Sequence, residues 1–106
     1  MKQSSDGEPR AIERRTVSRK TPSDGKLEIT KIAANDLAPL GERFTVVVDD
    51  RDGDARLAAM PCTCRGDDVA HVHYFVESDL LRALPVGHVV DLLLDDDGKR
   101  LLVVSA

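Results

Sequence analysis

Residues 88–104 read HVVDLLLDDDGKRLLVV, two apolar runs joined by an acidic turn that ends in Gly98. Glycine accepts the positive φ angle of a tight turn without steric cost, so this pattern predicts a β-hairpin. Val89 and Leu92 cannot share one face of a strand, because successive side chains alternate between faces. We therefore predict that the first strand is buried on both faces, either centrally in a sheet or at a subunit contact.

Shorter strands precede this hairpin. The segment Leu27–Ile32 alternates apolar and polar residues, and the β-branched run Phe44–Val48 is followed by an aspartate-rich turn containing Asp52-Gly53. Ser78 is placed to cap one short helix over Leu80–Leu84. Six or so short strands with tight turns predict an all-β domain, either a small antiparallel barrel or a strongly bent sheet. SH3-like, Sm-like and OB-like types all fit this outline.

The charge of the chain is divided unevenly. Residues 1–26 contain seven Lys/Arg and four Asp/Glu, a net +3, whereas residues 27–106 contain eight and fifteen, a net −7. Residues 1–25 have few aliphatic side chains, so we expect a disordered N-terminal arm followed by a barrel domain over residues 26–106. An acidic body repels phosphate backbones, so nucleic acid could bind only through the basic arm.

No apolar segment approaches the roughly 20 residues that a membrane-spanning helix needs, and the N-terminus lacks the apolar run of a secretory signal. The two cysteines are separated by one residue, a spacing poorly suited to a disulfide bond, and reduced thiols are typical of the cytoplasm. We expect a cytoplasmic protein that does not bind membranes.

Both cysteines and two of the three histidines fall within residues 62–73. If a hairpin turns within residues 65–70, Cys64 lies opposite His71 and Cys62 lies opposite His73. Two thiolates and two imidazoles form a ligand set that tetrahedral zinc uses, so this hairpin is a candidate metal site.

The neighbouring residues favour a different interpretation of this hairpin. Val72, Tyr74 and Val76 form one apolar face, which turns His71 and His73 outwards. On the other strand, Cys62 and Cys64 continue the alternation of Ala58 and Met60, which resembles a core face. Free cysteine packs well as a small hydrophobic residue, so we favour buried thiols beside surface histidines and expect no cofactor.

Two short motifs resemble those of PilZ domains, which are barrels that bind cyclic di-GMP. Arg15-Thr-Val-Ser-Arg19 matches the Arg-x-x-x-Arg motif of their N-terminal arm. Asp36-Leu-Ala-Pro-Leu-Gly41 is similar to their Asp/Asn-x-Ser-x-x-Gly motif, with Ala38 in place of the serine. The resemblance covers a minor part of the chain and implies a cyclic-dinucleotide site at Arg15, Arg19, Asp36 and Gly41.

Motifs of common enzyme classes are absent from the sequence, including phosphate-binding loops, dinucleotide-binding glycine motifs and nucleophile elbows. Only three aromatic residues are present, too few for a platform on which single-stranded bases stack. We therefore expect no catalytic residues and a binding or assembly module that acts through a protein partner or self-association. The alternatives are a metal or small-ligand sensor and a nucleic-acid binder that uses its arm.

Overall fold

The computed structural model of the chain describes residues 9–61, 72–95 and 99–106, which form one seven-stranded sheet. The strands are β1 (Arg10–Thr16), β2 (Lys26–Ile29), β3 (Arg43–Val48), β4 (Arg51–Pro61), β5 (Val72–Glu77), β6 (Val89–Asp95) and β7 (Arg100–Ser105). The helices are α1 (Lys20–Asp24), α2 (Lys31–Leu37) and two 3-10 helices over Ala38–Leu40 and Asp79–Ala83. None of the helices in these ranges is long and apolar enough to cross a membrane.

The strands follow the spatial order β1-β6-β7-β3-β4-β5-β2. Every neighbouring pair is antiparallel except β3 and β7, which run parallel because β7 returns beside β3 at the end of the chain. The two edge strands, β1 and β2, approach each other, so the sheet bends into a nearly closed barrel. The prediction of a small all-β barrel is confirmed, with one parallel pair that the sequence pattern did not indicate.

Alternate residues of the strands fill the barrel. Val46, Leu92 and Leu101 are fully buried inside it, and Leu81 of the second 3-10 helix is buried with them. Ser78 caps that helix as predicted, since its hydroxyl accepts a hydrogen bond from the Leu80 backbone N–H at 3.3 Å. The core is therefore mainly aliphatic, with Phe44 as its one aromatic member in the main cluster of described residues.

The hairpin of residues 88–104 is present as β6 and β7. Within β6, Leu92 and Leu94 are 0% and 2% exposed, whereas Val89 on the opposite face is 38% exposed. The strand lies between β1 and β7, as the first alternative predicts, but this position alone does not bury its outer face, and burial at a subunit contact stays a prediction. Its outer face carries Val89 and Leu93, which alternate with two aspartates, and is only partly covered.

The predicted disordered arm at residues 1–25 is wrong from Arg10 onwards, while residues 1–8 lie outside the described ranges. Strand β1 pairs with β6 along its length, and Val17 and Thr21 are 1% and 0% exposed. A strand with few apolar residues is stable here because its partner strand satisfies its backbone groups, a contact that composition does not reveal.

Two local predictions also need correction. The strand predicted to reach Ile32 ends at Ile29, because Thr30 caps α2 and accepts a hydrogen bond from the Ala33 backbone N–H at 3.2 Å. The β3–β4 hairpin turns at Asp49 and Asp50, which both have positive φ angles, and not at Asp52-Gly53. Gly53 instead leaves room for Leu80, whose Cδ1 would lie 3.0 Å from an added Cβ.

Candidate functional site: an apolar sheet face

The predicted zinc hairpin lies mostly outside the described residues, since Cys62, Cys64 and His71 fall there. His73 is described, and it pairs with Met60 across β4 and β5. The predicted pairing of Cys62 opposite His73 is therefore wrong. The register of a hairpin depends on where its turn falls, which the sequence alone did not fix.

His73 lies on the outer face of the barrel, as predicted, with 37% of its side chain exposed. Its Nδ1 lies 2.8 Å from Oε2 of Glu28 on β2. Met60 is 43% exposed, so the assumption that it marks a core face leading to the cysteines is wrong. Val72 is also exposed, at 46%, while Val76 is buried as expected. Within the described ranges, no three His, Cys, Asp or Glu side chains cluster as metal ligands would.

The residues of the PilZ-like motifs lie on separate elements. Arg15 belongs to β1 and donates a hydrogen bond to Glu13 at 3.0 Å, while Arg19 directly precedes α1. Asp36 belongs to α2, and Gly41 follows the first 3-10 helix with a φ angle of 95°. Among the described residues, no hydrogen bond or ion pair joins either arginine to Asp36 or Gly41.

A charged cavity of about 260 Å³ lies beside α1 and the second 3-10 helix. Arg43 and Arg56 line it from directly opposite positions on β3 and β4, and Arg56 donates a hydrogen bond to Glu77 at 2.9 Å. Its four carboxylates are those of Asp24, Asp54, Glu77 and Asp79. They outnumber the two guanidinium groups, so the cavity does not favour an anion.

A row of four apolar side chains crosses the outer face of the sheet. Ala11 of β1 lies opposite Leu93 of β6, Leu93 lies opposite Leu102 of β7, and Leu102 lies beside Val47 of β3. We call these four residues the apolar row. Ala11 is exposed and the other three are half-buried. The alternation that buries Val46, Leu92 and Leu101 inside the barrel places the apolar row outside it.

Two more aliphatic side chains extend the row along the strands. Val89 and Val104 are 38% and 39% exposed, and with the apolar row they form what we call the apolar face. An open groove of about 510 Å³ runs over its β3–β7 side, lined by Val47, Leu102 and Val104. A partly exposed aliphatic surface that continues over four strands is typical of an interaction site.

Ion pairs flank the apolar row on both sides. Arg14 of β1 donates hydrogen bonds to both carboxylate oxygens of Asp91 at 2.7 and 3.1 Å. On the other side, Arg100 donates one to Asp95 at 2.9 Å. The hydrogen bond from Arg14 lowers the pKa of Asp91 from its usual value, and the charge of Arg14 adds to the effect. The same hydrogen bond raises the pKa of Arg14.

The β3–β4 hairpin adds an acidic border beyond Val47. Asp49, Asp50, Asp52 and Asp54 are all exposed, and none of them forms an ion pair within the described ranges. Asp49 and Asp50 line the groove, and Asp52 lies directly opposite Val47. The apolar row therefore ends at a set of uncompensated carboxylates.

The sequence carried one signal of this face. In residues 88–94, apolar side chains occur on both faces of the strand, and this pattern predicted a central strand or a subunit contact. The sequence did not indicate that Ala11 and Val47 lie in one row with Leu93 and Leu102, because this placement depends on the order of the strands in the sheet. No protein-family model matches the chain, and a search of curated proteins finds no significant match.

Proposed function

We propose that this protein is a non-catalytic binding or assembly module that contacts protein through its apolar face. The observation that carries the proposal is the apolar row, whose four members are in register across β1, β6, β7 and β3. Burial of such a surface is the main favourable contribution to most protein association, because it removes apolar area from water.

The surroundings of the row support a protein contact. Beside the row lie two ion pairs, Arg14–Asp91 and Arg100–Asp95, and the two charges of each pair neutralise each other. Covering the row would therefore not leave these charges unpaired. A core of aliphatic residues with a polar and charged border is the usual composition of a protein interface. We assign this role to the cytoplasm, where neighbouring cysteines stay reduced.

The test is photo-cross-linking in the cells that produce the protein. A benzophenone amino acid at Leu93 should give covalent adducts with protein, and introducing Leu102→Lys into the same chain should abolish them. The control position is Ile32 on α2, which is 74% exposed but lies off the apolar face. Equal adduct yields from Leu93 and Ile32, or adducts that survive Leu102→Lys, would contradict the proposal.

A further inference from the structure

We infer that the occupant of the apolar face is an amphipathic helix of another protein, with an aliphatic stripe and lysine or arginine side chains along one flank. The inference rests on the proposed function, because it names the partner of the same surface. It comes from the charges that border the apolar row on the outer face of the barrel and from the pairing of the strands beneath it.

The β1 side of the face carries no net charge. Arg14 is directed to this face and forms an ion pair with Asp91 of the neighbouring strand. Arg10, Glu13 and Arg15 lie opposite buried residues of β6, so the alternation of the strand directs them to the other face. A partner therefore meets a neutral border on this side.

The β3–β4 side of the same face is acidic. Asp52 lies directly opposite Val47, so its carboxylate is beside the end of the apolar row, and Asp49 and Asp50 line the groove. All three aspartates are exposed, and none of them has an ion-pair partner within the residues that the structure describes. Arg51 lies opposite a buried residue of β3, so it is directed to the other face.

The nearest cations on this face do not compensate these aspartates. Arg100 lines the groove but is held by Asp95 at 2.9 Å. Arg43 lies four residues before Val47 on β3, about 13 Å along the strand, which is beyond the roughly 8 Å over which exposed charges interact at physiological salt. Like charges so close together repel one another, and a lysine or arginine of the partner would relieve that repulsion.

The strands beneath the row favour a helix as the occupant. Strands β6, β7 and β3 each have a neighbouring strand on both sides, so an added strand could not pair with them. A segment that covers an apolar surface must satisfy its own backbone N–H and C=O groups, as a helix does. The two strand spacings from Leu93 to Val47 span roughly 10 Å, which matches the width of one helix. Laid along the strands, this helix has one flank beside Asp52.

Calorimetric binding of two designed helical peptides to the full chain tests the inference. Both peptides have the same leucine stripe, and one flank carries lysines in the first peptide and glutamates in the second. The lysine peptide should bind at least about tenfold more tightly, and added salt should reduce the difference because it screens the charges. Equal affinities, or no binding of the lysine peptide, would overturn the inference.

Two charge reversals locate the binding on the molecule. Asp52→Lys and Asp24→Lys change the net charge of the chain equally, but Asp24 lies on α1, away from the apolar face. Asp52→Lys should weaken the lysine peptide severalfold and strengthen the glutamate peptide, whereas Asp24→Lys should leave both affinities close to those of the parent. Equal responses to the two reversals would overturn the inference, because they would show attraction to net charge alone.

Photo-cross-linking in cells separates this inference from the proposed function. Adducts from a benzophenone amino acid at Leu93 should fall severalfold when Asp52→Lys is introduced and should not change with Asp24→Lys. Adducts that require Leu102 but not Asp52, or that join two copies of this chain, would overturn the helix partner and leave the proposed function standing. A lack of adducts that depend on Leu102 would overturn both.

Discussion

The carboxylate of Glu13 accepts two hydrogen bonds from Thr30, one from its hydroxyl at 2.6 Å and one from its backbone N–H at 3.1 Å. Glu13 belongs to β1 and Thr30 directly follows β2, the two strands at the open edges of the sheet. The contact therefore bridges the gap that backbone hydrogen bonds leave in the barrel. Thr30 also caps α2, so the same residue fixes the position of that helix.

Glu13→Ala should lower the free energy of unfolding by about 0.5–1.5 kcal/mol, because the variant removes two hydrogen bonds to Thr30, which is exposed enough for water to replace the lost partner. Thr30→Ala should cost about 1 kcal/mol or more through the lost helix cap. Urea unfolding of the two single variants and the double variant gives the coupling between the residues. Strictly additive losses would show that the contact does not close the barrel.

Adjacent leucines of β6 provide a test of the two sides of the sheet. Leu92→Ala should cost about 2–5 kcal/mol, because Leu92 is fully buried in the core. Leu93→Ala should cost much less when measured at protein concentrations low enough to keep the chain monomeric. Equal losses in urea unfolding would mean that the outer face is as tightly packed as the core.

Two glycines with positive φ angles should respond differently to alanine. Gly87→Ala should cost about 1–2 kcal/mol from backbone strain alone, because an added Cβ meets no atom within 4 Å. Gly25→Ala should cost more, because its Cβ would lie 2.8 Å from the backbone oxygen of Ser78. Thermal unfolding of both variants measures the difference, and a smaller loss for Gly25→Ala would contradict the packing of α1 against the second 3-10 helix.

The Arg14–Asp91 pair predicts an acid-dependent contribution to stability. Because folding lowers the pKa of Asp91, its contribution is present above the pKa of the unfolded chain and is lost as the pH falls through the folded value. An NMR titration should give a pKa below the usual value for aspartate. Arg14→Gln should return it towards that value, whereas Arg15→Gln should not, and an unshifted pKa in the parent protein would contradict the geometry of the pair.

Local patterns were enough to predict the β6–β7 hairpin, the Ser78 cap and the barrel class. Each depends on alternation within a few residues or on a turn residue next to an apolar run. The place of β1 could not be predicted in this way, because its stability comes from pairing with a strand about 80 residues away.

The candidate site likewise contains features that local sequence patterns predict and features that depend on distant strand pairing. The apolar excess of β6 was visible in the sequence, whereas the row that joins Ala11 to Val47 depends on a strand order that no local pattern contains. For the Cys/His hairpin, the assumed turn position placed Cys62 opposite His73, although Met60 occupies that position. A shift of register is enough to change which side chains meet.

The central claim is that the apolar face contacts protein, and methyl NMR with a soluble paramagnetic probe tests it most directly. In the purified protein at low concentration, the methyl groups of Leu93, Leu102 and Val47 should relax faster when the probe is added. In an unlabelled extract of the cells that produce the protein they should become protected, while Ile32 stays accessible in both. Probe effects on the three face residues that are the same in buffer and in extract would contradict the claim.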